Sequence, residues 1–268
     1  LESSDEFSQF GGRVTVAADG SFSYEPVPGF RGLDSFQYTV RDATGASTAQ
    51  VSIDVSGATV WFVDDSAPAG GNGTRSAPFN SFAPVNGTSG AGDIDAVGDT
   101  IFVFAGTYNV TFDLEPGQSL IGEAAGLDLV GTANDVAPGA RPLISSGNSF
   151  PLIELFGTLG TVEAFDIANS GGRAIAANGA GGFTLRDIGI TSAATASGSM
   201  EFIGSTGVIA ITNVAITGAT QANGSALSFL NNSAVVSLFG STVSAFTGGY
   251  VLNVSGNSNT ITFDGGSD

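Results

Sequence analysis

Between residues 174 and 263 the chain repeats one arrangement of apolar and polar positions. Phe183, Ile209, Val236 and Ile261 are separated by 26, 27 and 25 residues, and Leu185, Ile211, Leu238 and Phe263 by the same intervals. The same set links Ala174, Met200, Leu227 and Leu252, then Ala176, Phe202, Phe229 and Val254, while a further arm runs through Ile190, Ile216 and Val243. Residues two apart on a strand face the same side, so each repeat predicts three short strands sharing one apolar face. The positions between them, such as Thr184, Arg186, Ala210, Thr212, Ser237 and Thr262, are mostly polar or small. A unit this short cannot bury its apolar face alone and must stack on its neighbours, as solenoid repeats do. The pattern therefore predicts a parallel β-helix whose axis advances about 4.8 Å per coil.

An earlier coil follows the scheme at closer spacing. Ile153, Leu155, Val162, Ala164 and Ile167 lie 21 residues before Ala174, Ala176, Phe183, Leu185 and Ile188. On that spacing Asp166 and Asp187 fall in one column, with Asn213 next in line, and the shortening is assigned to residues 168–173. Residues 123–148 fit no ladder, and 134–142 read as a loop projecting from a coil.

Residues 1–57 carry a different pattern. Arg13-Val14-Thr15-Val16, Ser21-Phe22-Ser23-Tyr24 and the stretches 35–40 and 49–55 alternate apolar with polar, punctuated by Asp19-Gly20, Pro28-Gly29 and Ala43-Thr44-Gly45. Such spacing predicts part of an antiparallel β-sandwich.

Two resemblances attach to these stretches. Asp19-Gly20-Ser21-Phe22-Ser23-Tyr24-Glu25-Pro26, followed by Pro28-Gly29-Phe30-Arg31-Gly32-Leu33-Asp34-Ser35-Phe36-Gln37-Tyr38-Thr39-Val40-Arg41-Asp42, resembles the bacterial Ig-like or cadherin-like tandem modules of large surface proteins. It implies a module lacking its opening strands, with an exposed edge. Val60-Trp61-Phe62-Val63-Asp64-Asp65, the Gly-rich loop 69–74, residues 78–85, Gly98-Asp99-Thr100-Ile101 with Gly106-Thr107-Tyr108, and Leu120-Ile121-Gly122 resemble the opening of pectin-lyase-like right-handed β-helices. That likeness implies a cap over 78–85 and places Trp61 and Phe62 at the domain junction. The expectation is an all-β chain: a partial Ig-like β-sandwich over 1–57, then a right-handed parallel β-helix over 58–268 that continues into further coils.

Composition narrows the function. The net charge is −18, all seven cations are Arg, and His and Cys are absent. Phosphate backbones need cationic partners, so nucleic acid is not an expected ligand. Disulfides and zinc–thiolate sites are ruled out, and no apolar run reaches the roughly 18–20 residues of a membrane span. The start at Leu1-Glu2-Ser3 reads as a piece of something longer.

Three kinds of chemistry are open. β-Helix enzymes of the family that the chain resembles cleave polysaccharides, and hydrolysis needs clustered carboxylates; Asp166 and Asp187, beside Arg186, are the catalytic candidates. The other reading of that column is a bend whose Asp and Asn side chains satisfy backbone N–H groups. Asp34, Asp42, Asp64 and Asp65 are candidate calcium ligands, because calcium takes oxygen donors from Gly-rich loops. Tyr108, Phe239 and Tyr250 are candidate exposed aromatics for stacking on sugars. The expected function is a non-catalytic stalk, spacer or adhesive segment of a large secreted bacterial surface protein. Its partners would be carbohydrate, cell-surface components or another copy. The alternative is a polysaccharide lyase or glycoside hydrolase, which would gather acidic and basic residues on one face.

Overall fold

The computed structural model describes residues 1–87, 93–128, 136–147, 151–157, 159–169, 171–193, 198–219, 224–247 and 249–264; the tip 134–135 of the expected projecting loop lies outside them. Beyond residue 57 the period-2 pattern becomes three stacks of parallel strands. Among the described residues the first sheet has 8 strands, Val60–Val63, Thr100–Val103, Ser119–Gly122, Gly160–Glu163, Phe183–Arg186, Val208–Thr212, Val235–Phe239 and Ile261–Asp264. The second has 6, Thr107–Asn109, Leu143–Ser146, Asp166–Asn169, Gly189–Ser192, Ala215–Ala219 and Thr242–Thr247. The third also has 6, Phe112–Leu114, Ile153–Leu155, Ile175–Asn178, Gly198–Ile203, Ser225–Leu230 and Tyr250–Ser255. The chain visits the three in turn, which makes a parallel β-solenoid.

The first two sheets keep the expected register: Phe183 pairs with Ile209, then Val236 and Ile261, and Ile190 pairs with Ile216 and Val243. In the third sheet Met200 lies opposite Ile175, and Phe202 opposite Ala177, one place on from the expected Ala174 and Ala176. The cause is a bend: the connection from Ala177 to Phe183 is one residue shorter than that from Phe202 to Ile209. The earlier coil is corrected too, because Val162 pairs with Leu185 and Ile167 with Ile190. Both lie 23 residues on, not 21. Asp166 therefore stands opposite Gly189 and not in the column of Asp187.

Inward residues fill the tube. Leu120, Val162, Leu185 and Ile209 are fully buried, and Phe202 stacks on Phe229 and packs at a tilt against Phe183, both ring centroids 5.2 Å away. Full burial of such a side chain contributes roughly 1.5–3 kcal/mol. At two bends, Asn side chains saturate backbone groups. Asn232 Nδ2 donates to the Phe202 carbonyl at 3.0 Å while its Oδ1 accepts from Ser205 N at 2.7 Å, and Asn257 Nδ2 repeats the contact one coil on, to the Phe229 carbonyl at 2.7 Å.

One end of the tube is closed by the segment over 78–85: Phe79, Phe82 and Val85 are buried, and Phe82 packs on Tyr108 and Phe112 at 5.2 and 5.1 Å. After Ser119–Gly122 the described residues are 123–128 and 136–142, with 137–141 exposed. Val136 folds back with Leu127 onto Phe62 and Phe102 on the outer side of the first sheet, and residues 143–146 rejoin the second sheet. That cover explains why Phe62, Phe102 and Phe104, which point away from the tube, are apolar.

In residues 1–57, Ser3–Ser4, Gly32–Arg41 and Ala46–Val55 form one antiparallel sheet in that order, and Arg13–Val16 pairs with Phe22–Glu25. Val14 and Phe36 are the buried apolar side chains of this unit. Its centre is polar: the Asp34 carboxylate, 2% exposed, accepts from Ser8 Oγ at 2.5 Å, Tyr24 OH at 2.7 Å, Ser35 N at 2.7 Å and Phe10 N at 3.1 Å. The unit meets the solenoid at Asp99, which accepts from Thr59 N at 2.9 Å, Trp61 Nε1 at 2.9 Å and Ala96 N at 3.0 Å while facing Arg31 at 3.4 Å. Glu25 adds a second tie, accepting from Ser76 N at 3.1 Å and Ser76 Oγ at 2.6 Å. Trp61 is thus at the junction, stacked on Phe79 at 6.0 Å.

Candidate functional site

The three candidate catalytic residues have separate partners. Asp187 sits at a corner between the first and second sheets with φ 54°, and Ala164 (65°), Asn213 (52°) and Gly240 (59°) occupy the same corner of neighbouring coils. Left-handed backbone is open to Gly at little cost and is tolerated best, after Gly, by Asn and Asp, which explains Asp187, Asn213 and Gly240 but not Ala164. Backbone bonds join it, from Asp187 N to the Thr212 carbonyl at 3.0 Å and from Asn213 N to the Phe239 carbonyl at 2.9 Å, and Asn213 Nδ2 donates to Asp187 Oδ1 at 3.1 Å. Arg186 turns to the previous coil and grips Glu163 through two bonds, Nε to Oε1 at 2.8 Å and an Nη to Oε2 at 2.5 Å, with Asp187 at 3.9 Å. That grip raises the guanidinium pKa further. Asp166 pairs instead with Arg141 at 3.4 Å, and Arg173 with Glu201 at 2.7 Å.

The four expected calcium ligands are likewise dispersed and engaged. Asp34 is the hub described above; burial pushes its pKa up, but the four donors outweigh it and the carboxyl lies below its ordinary value. Asp42 Oδ1 closes its own turn on Thr44 N at 2.7 Å, Thr44 Oγ1 at 2.6 Å and Gly45 N at 3.1 Å. Asp64 does the same on Ser66 N at 2.9 Å, and Asp65 accepts from Thr107 N at 2.8 Å. Among the described residues no three or more Asp, Glu, His or Cys side chains are placed to hold a metal ion. Of the aromatics, Tyr108 is buried and its hydroxyl donates to the Phe104 carbonyl at 2.9 Å, which corrects its expected exposure. Phe239 and Tyr250 are exposed but stand on different sheets.

A different group of carboxylates does converge, and the sequence reading passed over it. A groove of about 620 Å³ beside the first coils is lined by Asp95, Ala96, Val97, Asp113, Glu115, Pro116 and Phe156. Asp113 and Glu154 are paired neighbours on the third sheet and both point outward. Gln118, fully buried in the following bend, fixes the rest: its Oε1 accepts from Glu115 N at 2.9 Å and its Nε2 donates to Asp95 Oδ2 at 2.5 Å. The other Asp95 oxygen is buried without a hydrogen-bond partner. Burial, then the charge of Asp93, pushes the Asp95 carboxyl up to about 7. Burial likewise raises Glu115, Asp113 and Glu154, with Asp93 adding to Glu115 and Asp113 to Glu154. A carboxyl whose pKa is lifted towards neutrality can donate a proton or a hydrogen bond there. No local motif announces the group, because its members come from two connections and from two strands of neighbouring coils.

Comparison with known proteins bears on the first unit. Residues 2–54 match the family model of the bacterial Ig domain. No characterised protein and no solved structure is significantly similar to the chain. The chain thus carries a bacterial Ig domain at its N-terminal side, followed by a β-solenoid.

Proposed function

We propose that this chain is a non-catalytic structural or adhesive segment of a secreted bacterial surface protein, in which the solenoid acts as stalk, spacer or contact surface behind an Ig module. The observation that carries this reading is the pairing of Arg with carboxylate along the coils. Arg141, Arg173 and Arg186 are each engaged by a carboxylate of the coil beside them. Asp187 serves as a left-handed corner. Cations spent on holding coils together are not gathered to neutralise a uronate or a leaving group. The bacterial Ig domain supports the surface location, since such domains typically occur in surface and secreted proteins. No helix of the described residues is long and apolar enough to cross a membrane. The surface partners that fit are carbohydrates or other cell-surface components. The test is incubation with polygalacturonate, alginate and neutral glycans, with and without calcium. Neither unsaturated products nor new reducing ends should form, and turnover abolished by Asp187→Asn or Arg186→Ala in a folded protein would overturn the reading.

A second reading, glycoside hydrolysis, is favoured by one observation: the buried Asp95 carboxyl, with one oxygen lacking a hydrogen-bond partner and its pKa raised to about 7, lines a groove with Glu115 and Asp113. Hydrolysis needs one carboxylic acid and one carboxylate on either side of the bond. Turnover lost in both Asp95→Asn and Glu115→Gln, with Asp187→Asn unaffected, would establish it.

A further inference from the structure

Ala46–Val55 is the outermost strand of its sheet, and among the described residues nothing pairs with its outer side. It is long and regular, matched to its inner neighbour from Gly32 opposite Val55 to Arg41 opposite Ala46 without a bulge. Edges of this kind are templates for further pairing, and proteins usually block them with proline, lysine, bulges or inward charges. Here the strand reads Ala-Ser-Thr-Ala-Gln-Val-Ser-Ile-Asp-Val, with Asp54 its single charge and no proline.

The hydrogen bonds fix which groups point out. The carbonyls of Thr39, Gln37 and Ser35 accept from Glu2 N at 2.8 Å, Asp5 N at 2.9 Å and Gln9 N at 2.8 Å, on the side away from Ala46–Val55. The alternate residues Asp34, Phe36, Tyr38 and Val40 therefore turn their backbone groups towards Ile53, Val51, Ala49 and Ser47. That leaves the N–H and C=O of Thr48, Gln50, Ser52 and Asp54 on the free side.

We propose that this edge binds the same edge of a second copy, antiparallel about a two-fold axis through Val51. In that register Gln50 exchanges both backbone bonds with Ser52 of the other copy, and Thr48 does so with Asp54. Val51 meets Val51, Ile53 meets Ala49, and residues on the Phe36 side of one sheet continue onto the same side of the other. A second copy fits because the pattern is self-complementary, as an isologous contact requires. The one carboxylate, Asp54, meets Thr48 and not its own counterpart, so no like charges stand directly opposite despite the net charge of −18. The pairing holds whether the solenoid is a scaffold or an enzyme.

Sedimentation equilibrium of the whole chain near 0.15 M salt should show a concentration-dependent dimer, and Ser52→Pro, which removes an outward N–H, should leave a monomer. The chain has no cysteine, so single cysteines report the contact cleanly. The self-opposed position brings Cα atoms to about 4.5 Å, within disulfide range. Val51→Cys should therefore oxidise to a covalent dimer many-fold faster than Ser47→Cys. A wild type that stays monomeric up to high concentration, or Val51→Cys linking no faster than Ser47→Cys, would overturn the proposal.

Discussion

The two units of this chain solve the same problem with opposite materials. The solenoid buries a column of Leu, Ile, Val and Phe from coil after coil up to Leu238, so its stability is spread over many similar contacts. The Ig domain buries Val14 and Phe36 and organises itself around one carboxylate, Asp34, which satisfies donors from residues 8, 10, 24 and 35. A repetitive fold adds stability coil by coil, because each coil needs only its neighbours. A small sandwich with little apolar core depends instead on a few long-range polar bonds. Damage should therefore be graded in one unit and concentrated in the other.

The largest effect is expected inside the tube. Phe202→Ala removes a ring packed against two others and should cost about 3–5 kcal/mol, while Leu185→Ala should cost about 2–5 kcal/mol. Thr184→Ala, one residue away on the outer face, should stay within about 0.5 kcal/mol. Denaturant melts of the three variants check the register; equal shifts for Leu185→Ala and Thr184→Ala would contradict it. Next comes Asp34→Asn, which replaces charge-assisted bonds and sets an amide N–H₂ against donors. It should destabilise the Ig domain by about 1–3 kcal/mol and leave the far coils of the solenoid unchanged, as hydrogen exchange at Phe36 and Ile211 would report.

A smaller effect is expected at the corners. Asn213 holds φ 52°, where a residue with Cβ and no local hydrogen bond pays about 1–2 kcal/mol. Asn213→Ala should cost about that much, and Asn213→Gly should be tolerated, as Gly240 already is one coil on. The same substitutions at Asp187 should behave alike in thermal melts. A large loss from Asp187→Gly would mean that its carboxylate, and not its backbone conformation, is what the corner needs.

Much of this was legible in the sequence, for a physical reason. Alternation at period 2 and a shared repeat length are direct consequences of stacking, so the ladders through Phe183 and Leu185 could be read to the residue. The failures at Ala174, Ala176 and Asp166 came from bends, whose lengths change by one or two residues with no hydrophobic signature. Asp166 and Asp187 looked equivalent because a uniform 21-residue spacing was assumed, and the pairing of Asp166 with Gly189 removes that equivalence. The Asp95, Asp113 and Glu115 groove was invisible for a related reason. Its chemistry comes from desolvation and from Gln118, which depend on how connections fold over the tube and not on local spacing.

The contrast between the two units can be tested with protons alone. Asp34 lies below its ordinary value when folded, so its contribution is present above the unfolded carboxyl value of about 4 and is lost as pH falls through the depressed folded value. Asp95, raised to about 7, and its raised neighbours Glu115, Asp113 and Glu154 work in the other direction. Their contribution is complete below the unfolded value and is lost as pH rises towards neutrality. The deciding measurement is the opening free energy from hydrogen exchange at Leu120, beside the groove, and at Phe36, beside Asp34. From about pH 7.5 to 4.5 the Leu120 value should rise while the Phe36 value stays level. From about pH 4 to 2.5 the Phe36 value should fall while Leu120 holds. Parallel loss at both residues on acidification, or a fall at Leu120 between neutrality and pH 4.5, would contradict the assignment of an apolar tube and a carboxylate-centred Ig domain.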